Sequence, residues 1–259
     1  MRISACIIAR DEADRIGPCL ESVAFCDEIV VLDSGSRDET VRIAREAGAR
    51  VLETDWPGWV AQKNRAVDAA ANDWILSLDA DERVDEALRR VFVAIREERA
   101  GEETDGPVAY EVTRLTYYLG RWMRHGGWYP EWRVRLFDRR HARWGGIDPH
   151  DRVDVRGATG RIREGNLLHV SYRSLADHVR QINRFTSVIA DEMVKRGRRP
   201  GLLAMLFRPP FHVLRMYVVR AGFLDGLPGF VAAGMYGWYV FLKYAKAWEK
   251  VRGLGGEGR

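Results

Sequence analysis

The sequence predicts an α/β protein: a mainly parallel sheet flanked by helices, followed by a helical C-terminal extension. Three observations lead there. Short apolar runs alternate with helix-patterned segments over the first hundred residues, and polar clusters recur where those runs stop. Charge also divides unevenly: residues 1 to 155 carry 23 Lys/Arg against 30 Asp/Glu, a net of −7, whereas 156 to 259 carry 18 against 7, a net of +11. A composition of 46% hydrophobic and 30% charged residues excludes a disordered, collagenous or coiled-coil chain.

Ile3 to Ala9 is short, apolar and ends in charge, as a strand buried on both faces does when it enters a loop. Ala13 to Ala24 reads as a helix, with Ile16, Leu20 and Val23 at helical spacing and Asp11 as its cap. Glu28 to Leu32 is the second strand, stopping at Asp33-Ser34-Gly35-Ser36; Asp38 to Ala47 is the second helix, closed by Gly48. Val51 to Leu52, Val60 to Ala71 and Trp74 to Leu78 continue the alternation, and the last runs straight into Asp79-Ala80-Asp81-Glu82.

After a Gly- and Glu-rich connection from about Ala100, strand-like pieces at Val108 to Leu115, Arg133 to Phe137 and Asp151 to Val155 predict an antiparallel extension of the sheet. Three helices follow, at Ser174 to Lys195, Leu202 to Val219 and Phe230 to Val251; Arg208-Pro209-Pro210 should bend the second. Three domains are expected: 1–173, a helical extension at 174–252, and a frayed tail at 253–259.

Cys6, Cys19 and Cys26 lie in no CxxC or Cys/His metal spacing, which disfavours a disulfide framework or structural zinc and favours a reducing, cytoplasmic compartment. The first apolar run is too brief for a secretory leader. The 17 uncharged residues between Asp225 and Lys243 fall short of the ~20 a spanning helix needs, and Pro228, Gly229, Gly234 and Gly237 interrupt them.

Ligands of open α/β sheets bind beyond the carboxyl ends of the strands. The clusters Arg10 to Glu12, Asp33 to Ser36 and Asp79 to Glu82 should therefore share one site. Two carboxylates at i and i+2, Asp79 and Asp81, can hold a divalent cation with room left for phosphate oxygens. The plainer reading is a helix cap at a strand-to-helix junction.

Several blocks in order carry a resemblance: Ile7-Ile8-Ala9-Arg10-Asp11-Glu12, Val31-Leu32-Asp33-Ser34-Gly35-Ser36-Arg37-Asp38-Glu39-Thr40, Gln62-Lys63-Asn64, and Leu78-Asp79-Ala80-Asp81-Glu82. They resemble glycosyltransferase family 2 over about residues 1 to 90. Later pieces, including Trp128-Tyr129-Pro130, Pro149-His150-Asp151 and Leu168-His169-Val170, look like its lipopolysaccharide inner-core glucosyltransferase branch. The resemblance implies a GT-A (Rossmann-like) fold, with 1–99 the nucleotide-sugar-binding half and 100–173 the acceptor half. It also implies a nucleotide-diphosphate sugar donor, Mn²⁺ or Mg²⁺, and inversion at the anomeric carbon.

By that resemblance Asp81 holds the cation with Asp79 nearby, Asp33 accepts a hydrogen bond from the nucleobase or ribose, and Ala9, Arg10 and Asp11 wall the nucleoside. Ser34 departs from the family pattern, which often has a second acidic residue there. Asp151 resembles the family's base, with Asp148 and Glu131 as competitors and an ion pair to Arg152 or Arg135 as its structural alternative. His169 looks like the histidine that completes the metal shell, and a hydrogen-bonded core histidine suits its apolar setting equally. Gly126-Gly127 fits a loop close to sugar or acceptor, or an ordinary turn.

The expected reaction is transfer of a sugar to a saccharide or lipid-linked acceptor in cell-envelope glycan biosynthesis, or alternatively to polyprenyl phosphate. A sugar nucleotidyltransferase fits less well because Ala9 to Arg15 contains no glycine for a phosphate loop. Arginines interleaved with apolar residues from Arg196 to Arg220 suit an in-plane helix on anionic lipid at the inner face of the cytoplasmic membrane. The apolar segment Phe230 to Tyr244 suits lipid or self-association. A basic polyanion-binding protein is the non-enzymatic alternative, but nothing resembles a nucleic-acid recognition module.

Overall fold

The computed structural model describes residues 1–99, 106–147 and 150–254. It divides into two units. The first is Met1–Leu115 with Pro130–His169; the second is Thr116–Tyr129 with Val170–Arg259. The domain division drawn from sequence kept 116–129 with the sheet, whereas here that segment groups with the C-terminal helices.

The first unit opens with β1 (Ile3–Ala9), α1 (Ile16–Ser22), β2 (Glu28–Asp33), α2 (Thr40–Glu46), β3 (Arg50–Glu53), α3 (Trp59–Ala69) and β4 (Trp74–Asp79). A short β5 (Glu82–Val84) precedes α4 (Glu86–Glu98), which Asp85 caps by accepting from the Leu88 amide at 2.8 Å. Asp85, and not Asp79 or Asp81, is thus the helix cap. The long β6 (Ala109–Tyr118) leads into β7 (Arg121–Trp122) of the second unit. Then come β8 (Glu131–Asp138), β9 (Ala142–Ile147), β10 (His150–Val155), β11 (Thr159–Arg161) and β12 (Leu167–His169).

Strand order in the main sheet is β3-β2-β1-β4-β8-β6-β12-β5. The first four are mutually parallel, and β8 runs antiparallel to both β4 and β6. β9 and β10 form a separate antiparallel hairpin. The chain leaves β1 towards β2 and β3 and returns on its other side as β4, so a topological switch point, where α/β sheets open a crevice, lies at β1.

β1 is apolar apart from Ser4, which donates to Glu28 at 2.6 Å, because both its faces are covered. Ala5, Ile7 and Ala9 pack in one cluster with Ile16 and Leu20 of α1 and Leu88 and Phe92 of α4. Cys6 lies on the other face with Ala66 and Val67 of α3 and Trp144 of β9. Burial pushes the Cys6 and Cys19 thiols well above their ordinary range, so both act as small core residues.

One local expectation fails. Asp11 does not cap α1, whose N-terminal residue Arg15 gives no side-chain cap. The Asp11 backbone is left-handed, φ 53°, and its carboxylate instead accepts the Arg37 amide at 2.7 Å. Asp tolerates that backbone better than most residues, so the turn after β1 is tied to the turn after β2.

The second unit is built on α5 (Leu175–Lys195), α6 (Leu202–Leu214) and α7 (Gly226–Arg252). Ser174 caps α5 by accepting the Asp177 amide at 3.1 Å. Pro209 and Pro210 lie inside α6, which continues as a π-helical stretch, Arg215–Val219. α7 packs on both neighbours. Lys246 donates to the Asn183 carbonyl of α5 at 2.6 Å, and Arg208 of α6 donates to the Tyr244 hydroxyl. α5 and α7 each bury a face, whereas α6 buries no residue.

Candidate active site

The β2-β1-β4 pairing assembles the site's framework. Ala9 at the end of β1 is in register with Asp33, and its neighbour Ile8 with Asp79. Asp33 and Asp79 are therefore the last residues of strands on either side of β1, their backbones about 10 Å apart across two strand spacings. Arg10 is exposed, its Nε 3.8 Å from Asp11.

Asp33 is 1% exposed and works within its own turn. Its Oδ2 accepts from the Gly35 and Ser36 amides at 2.9 and 2.8 Å, and its Oδ1 from the Ser36 hydroxyl. Gly35 has φ 78°, a conformation that suits glycine. Oδ2 has both lone pairs engaged, whereas Oδ1 keeps a second one, so the turn leaves Asp33 able to accept one more donor.

Asp81 and His169 come together. β12 pairs antiparallel with β5, which puts His169 opposite Glu82 and brings its Nε2 to 3.3 Å from Asp81 Oδ2. Arg15 approaches the same carboxylate at 3.8 Å. Among the described residues no three His, Cys, Asp or Glu side chains gather as a metal cage. A carboxylate with an adjacent imidazole is nonetheless a fitting donor set for Mg²⁺ or Mn²⁺, which is commonly held by one or two protein ligands plus phosphate oxygens.

Asp79 has different partners. Lys63 Nζ stands 3.0 Å from its Oδ1 and hydrogen-bonds its Oδ2 at 3.3 Å, while Arg135 approaches Oδ2 at 3.6 Å. Burial alone would raise the Asp79 carboxyl, but Lys63 and then Arg135 outweigh it and hold the group well below the usual carboxylate range. Glu82 lies behind them, 1% exposed, accepting from Arg135 at 2.6 Å and from the Asp79 amide at 3.1 Å.

Asp151, on β10, is neither of the structural partners that its sequence neighbours suggest. Arg152 pairs with Asp154 at 2.7 Å and Arg135 with Glu82. Asp151 Oδ2 instead meets Lys63 Nζ at 2.7 Å. The competitor Glu131 is held by Arg114 at 2.8 Å and by Arg133. Burial raises the Glu131 carboxyl, and those two guanidinium groups more than reverse the effect, so it is ill suited to take a proton. Asp148 lies outside the described residues. Gly126 and Gly127 both have left-handed backbones and fall in the second unit; the Arg220 side chain fills the space a Cβ on Gly127 would need.

Sequence reasoning gave no role to Lys63, placed Glu82 in the site only as part of its cluster, and named Arg135 only as a possible partner of Asp151. The signal for Lys63 was the Gln62-Lys63-Asn64 triplet on α3, whose side chains fan out by about 100° per residue. Gln62 donates to the Ser34 hydroxyl at 3.0 Å, Lys63 reaches Asp79 and Asp151, and Asn64 exchanges hydrogen bonds with the Trp144 backbone of β9. One turn of helix thus ties the β2 turn, the β4 tip and the hairpin. Arg135 left no comparable mark, because an arginine inside an apolar strand becomes interpretable only when its partners are known.

Residues 4–161 match the family model described as Glycosyl transferase family 2. The chain is 31% identical to the lipopolysaccharide core biosynthesis glycosyltransferase LpsC of Rhizobium meliloti (strain 1021), over 96% of this chain and 92% of that one. It is 30% identical to an uncharacterized glycosyltransferase, RT0209, of Rickettsia typhi, over 96% and 87%. Among solved structures, glucosyl-3-phosphoglycerate synthase from Mycobacterium tuberculosis with Mn²⁺, UDP and glucosyl-3-phosphoglycerate is 25% identical, covers 46% of this chain and 44% of that one, and has a TM-score of 0.34.

Proposed function

The chain belongs to glycosyl transferase family 2, and from that premise we propose that it transfers a sugar, with inversion, from a nucleotide-diphosphate sugar to a saccharide or lipid-linked acceptor of a cell-envelope glycan. The similarity to a lipopolysaccharide core biosynthesis enzyme along nearly the whole chain supports that acceptor class. The observation that carries the reaction is the juxtaposition, beyond the carboxyl end of β4, of the Asp81–His169 pair with the Asp79–Lys63–Asp151 bridge.

Asp81 and His169 would hold a divalent cation, which when bound supplies Lewis-acid stabilisation of the charge on the departing diphosphate. Asp33 and the Ala9 to Asp11 turn would receive the nucleoside. Asp151 takes the proton of the acceptor hydroxyl as the acceptor oxygen bonds to the anomeric carbon; the carbon–phosphate-oxygen bond breaks and its electron pair leaves on the nucleoside diphosphate. Asp79, neutralised by Lys63 and Arg135, adds no uncompensated negative charge near the diphosphate.

A screen of nucleotide-diphosphate sugars with Mn²⁺ or Mg²⁺ tests this. Asp81→Ala should lose donor binding together with turnover. Asp151→Asn should still bind donor but transfer about 100-fold or more slowly, the range of a general base. Full transfer by Asp151→Asn would remove it from the base role.

The second unit supports attachment to the cytoplasmic membrane face. Leu202–Val219 is long and apolar enough by length and composition to cross a membrane, and almost none of it is buried. Phe207 is 66% exposed, and Leu203, Phe211, Leu227 and Phe230 are likewise exposed. Arg208 and Arg215 within the segment favour a helix lying in the interface over one that spans it. Binding to vesicles containing phosphatidylglycerol that persists in high salt, and is lost in a Phe207→Glu/Phe211→Glu double variant, is the expected result.

A further inference from the structure

The Lys63 ammonium connects the donor-side carboxylate Asp79 with the candidate base Asp151. It is 3% exposed, lies 2.7 Å from Asp151 Oδ2 and 3.0 Å from Asp79 Oδ1, and sits 4.3 Å from the centroid of the Trp144 ring. We propose that Lys63 is a positioning residue for proton transfer: shared between Asp79 and Asp151, it fixes the Asp151 carboxylate by Oδ2 and leaves Oδ1 to receive the acceptor proton. The inference rests on the reading of Asp151 as the base.

The physical argument begins with charge. Two oxygens bridged by one ammonium lie at most 5.7 Å apart, the sum of 2.7 and 3.0 Å. Carboxylates that close repel, and the ammonium held between them offsets that repulsion and fixes where each oxygen stands. Lys63 is itself removed from water, a cost that two carboxylates and an aromatic face jointly offset.

Geometry supplies the second part. Asp151 is carried on a two-stranded hairpin that, among the described residues, pairs with no strand of the main sheet, whereas Lys63 is on α3, packed against β1 and β4. The ion pair, with the Asn64 bonds to Trp144, therefore references the base to the rigid sheet. A base misplaced by about 1 Å can lose about 100-fold in rate. In the transfer step the proton passes from the acceptor hydroxyl to Asp151 Oδ1, the acceptor oxygen bonds to the anomeric carbon, and the bond to phosphate oxygen breaks with its electrons. Lys63 exchanges no proton.

The test uses the full chain and the donor that the screen selects. Lys63→Met should lower kcat about 100-fold while donor KM stays within about threefold, the split expected when base placement is lost but donor binding is not. Lys63→Arg should recover activity to within about tenfold of the parent, since it keeps the charge. In an Asp151→Asn background Lys63→Met should cost less than about threefold more, because residues acting through one another are not additive. Should Lys63→Met not fold, the same cycle is read with Lys63→Arg, whose smaller kcat loss must also vanish beside Asp151→Asn.

A raised donor KM with unchanged kcat would assign Lys63 to donor binding and overturn the proposal, as would full additivity with Asp151→Asn. If instead Asp151→Asn alone keeps full transfer, it is the base reading that fails, and the inference goes with it. No turnover of any donor by the parent would sink the reaction itself.

Discussion

Glu82 is the residue on which the site's cation balance depends. Its side chain is wholly buried, between Arg135 at 2.6 Å and Arg114 at 3.3 Å, and its other oxygen accepts the Asp79 amide. Glu82→Gln would leave Arg135, itself buried, with Asp79 at 3.6 Å as its nearest carboxylate. Breaking a buried pair from one side costs about 3–5 kcal/mol, so chemical denaturation should show a loss of that order. The exposed pair Arg143–Asp68, at 2.8 Å, provides the contrast: Asp68→Asn should change stability by less than about 1 kcal/mol despite an equally short contact. Distance is similar in the two pairs, and the surrounding solvent decides their worth.

At the scale of elements, α7 opens on Gly226 and carries three interior glycines whose replacement by alanine differs in predicted sign or size. A Cβ on Gly229 would stand 2.0 Å from the Gly222 carbonyl oxygen, which is backbone and cannot yield cheaply. One on Gly237 would meet a Val213 methyl of α6 at 2.5 Å, and one on Gly234 would meet nothing within 4 Å. Gly234→Ala should therefore stabilise by about 0.5–1 kcal/mol through helix propensity. Gly237→Ala should destabilise by about 1–3 kcal/mol through overpacking, and Gly229→Ala by more than Gly237→Ala. Thermal melts of the three variants check the order. The same packing explains why α7 forms one continuous helix across glycines that weaken it locally: small residues admit α6 and the preceding turn at close range.

At the scale of the molecule, acid should unfold the second unit in a window separate from the carboxylates. His178 is 6% exposed, its Nδ1 2.8 Å from the Tyr118 hydroxyl and its ring centroid 4.1 Å from that of Tyr172, the two rings tilted by 36°. Burial pushes it down to about 4 from 6.5, so the folded state favours the neutral imidazole. The unfolded chain then binds a proton that the folded one refuses as pH falls from 6.5 to 4. Stability present above 6.5 is lost across that interval, by about 3 kcal/mol at most. Asp79, Glu131 and Asp138, all held below the ordinary carboxylate range, contribute their losses at lower pH. Near-UV circular dichroism against pH should show a first loss between 6.5 and 4 that His178→Gln diminishes. The basic second section and its exposed apolar residues predict a further whole-molecule property, vesicle binding with both a salt-sensitive and a salt-resistant component.

The sequence by itself determined the parallel α/β half, because short continuous apolar runs, period-3.6 patterning, Gly48 as a helix stop and charge after the apolar runs are local properties of the chain. It also marked Asp79, Asp81 and Asp151 as residues of interest. Only the tertiary structure decided which of them share partners. Asp11, expected to cap α1, ties its turn to the turn after β2 instead, and the cap of α4 is Asp85. Lys63 and Arg135 took their roles from carboxylates up to 88 residues away. The reason is physical: secondary structure follows from spacing along the chain, whereas a buried charge is specified by whatever opposite charge folding brings within about 4 Å, and that proximity has no signature in linear order.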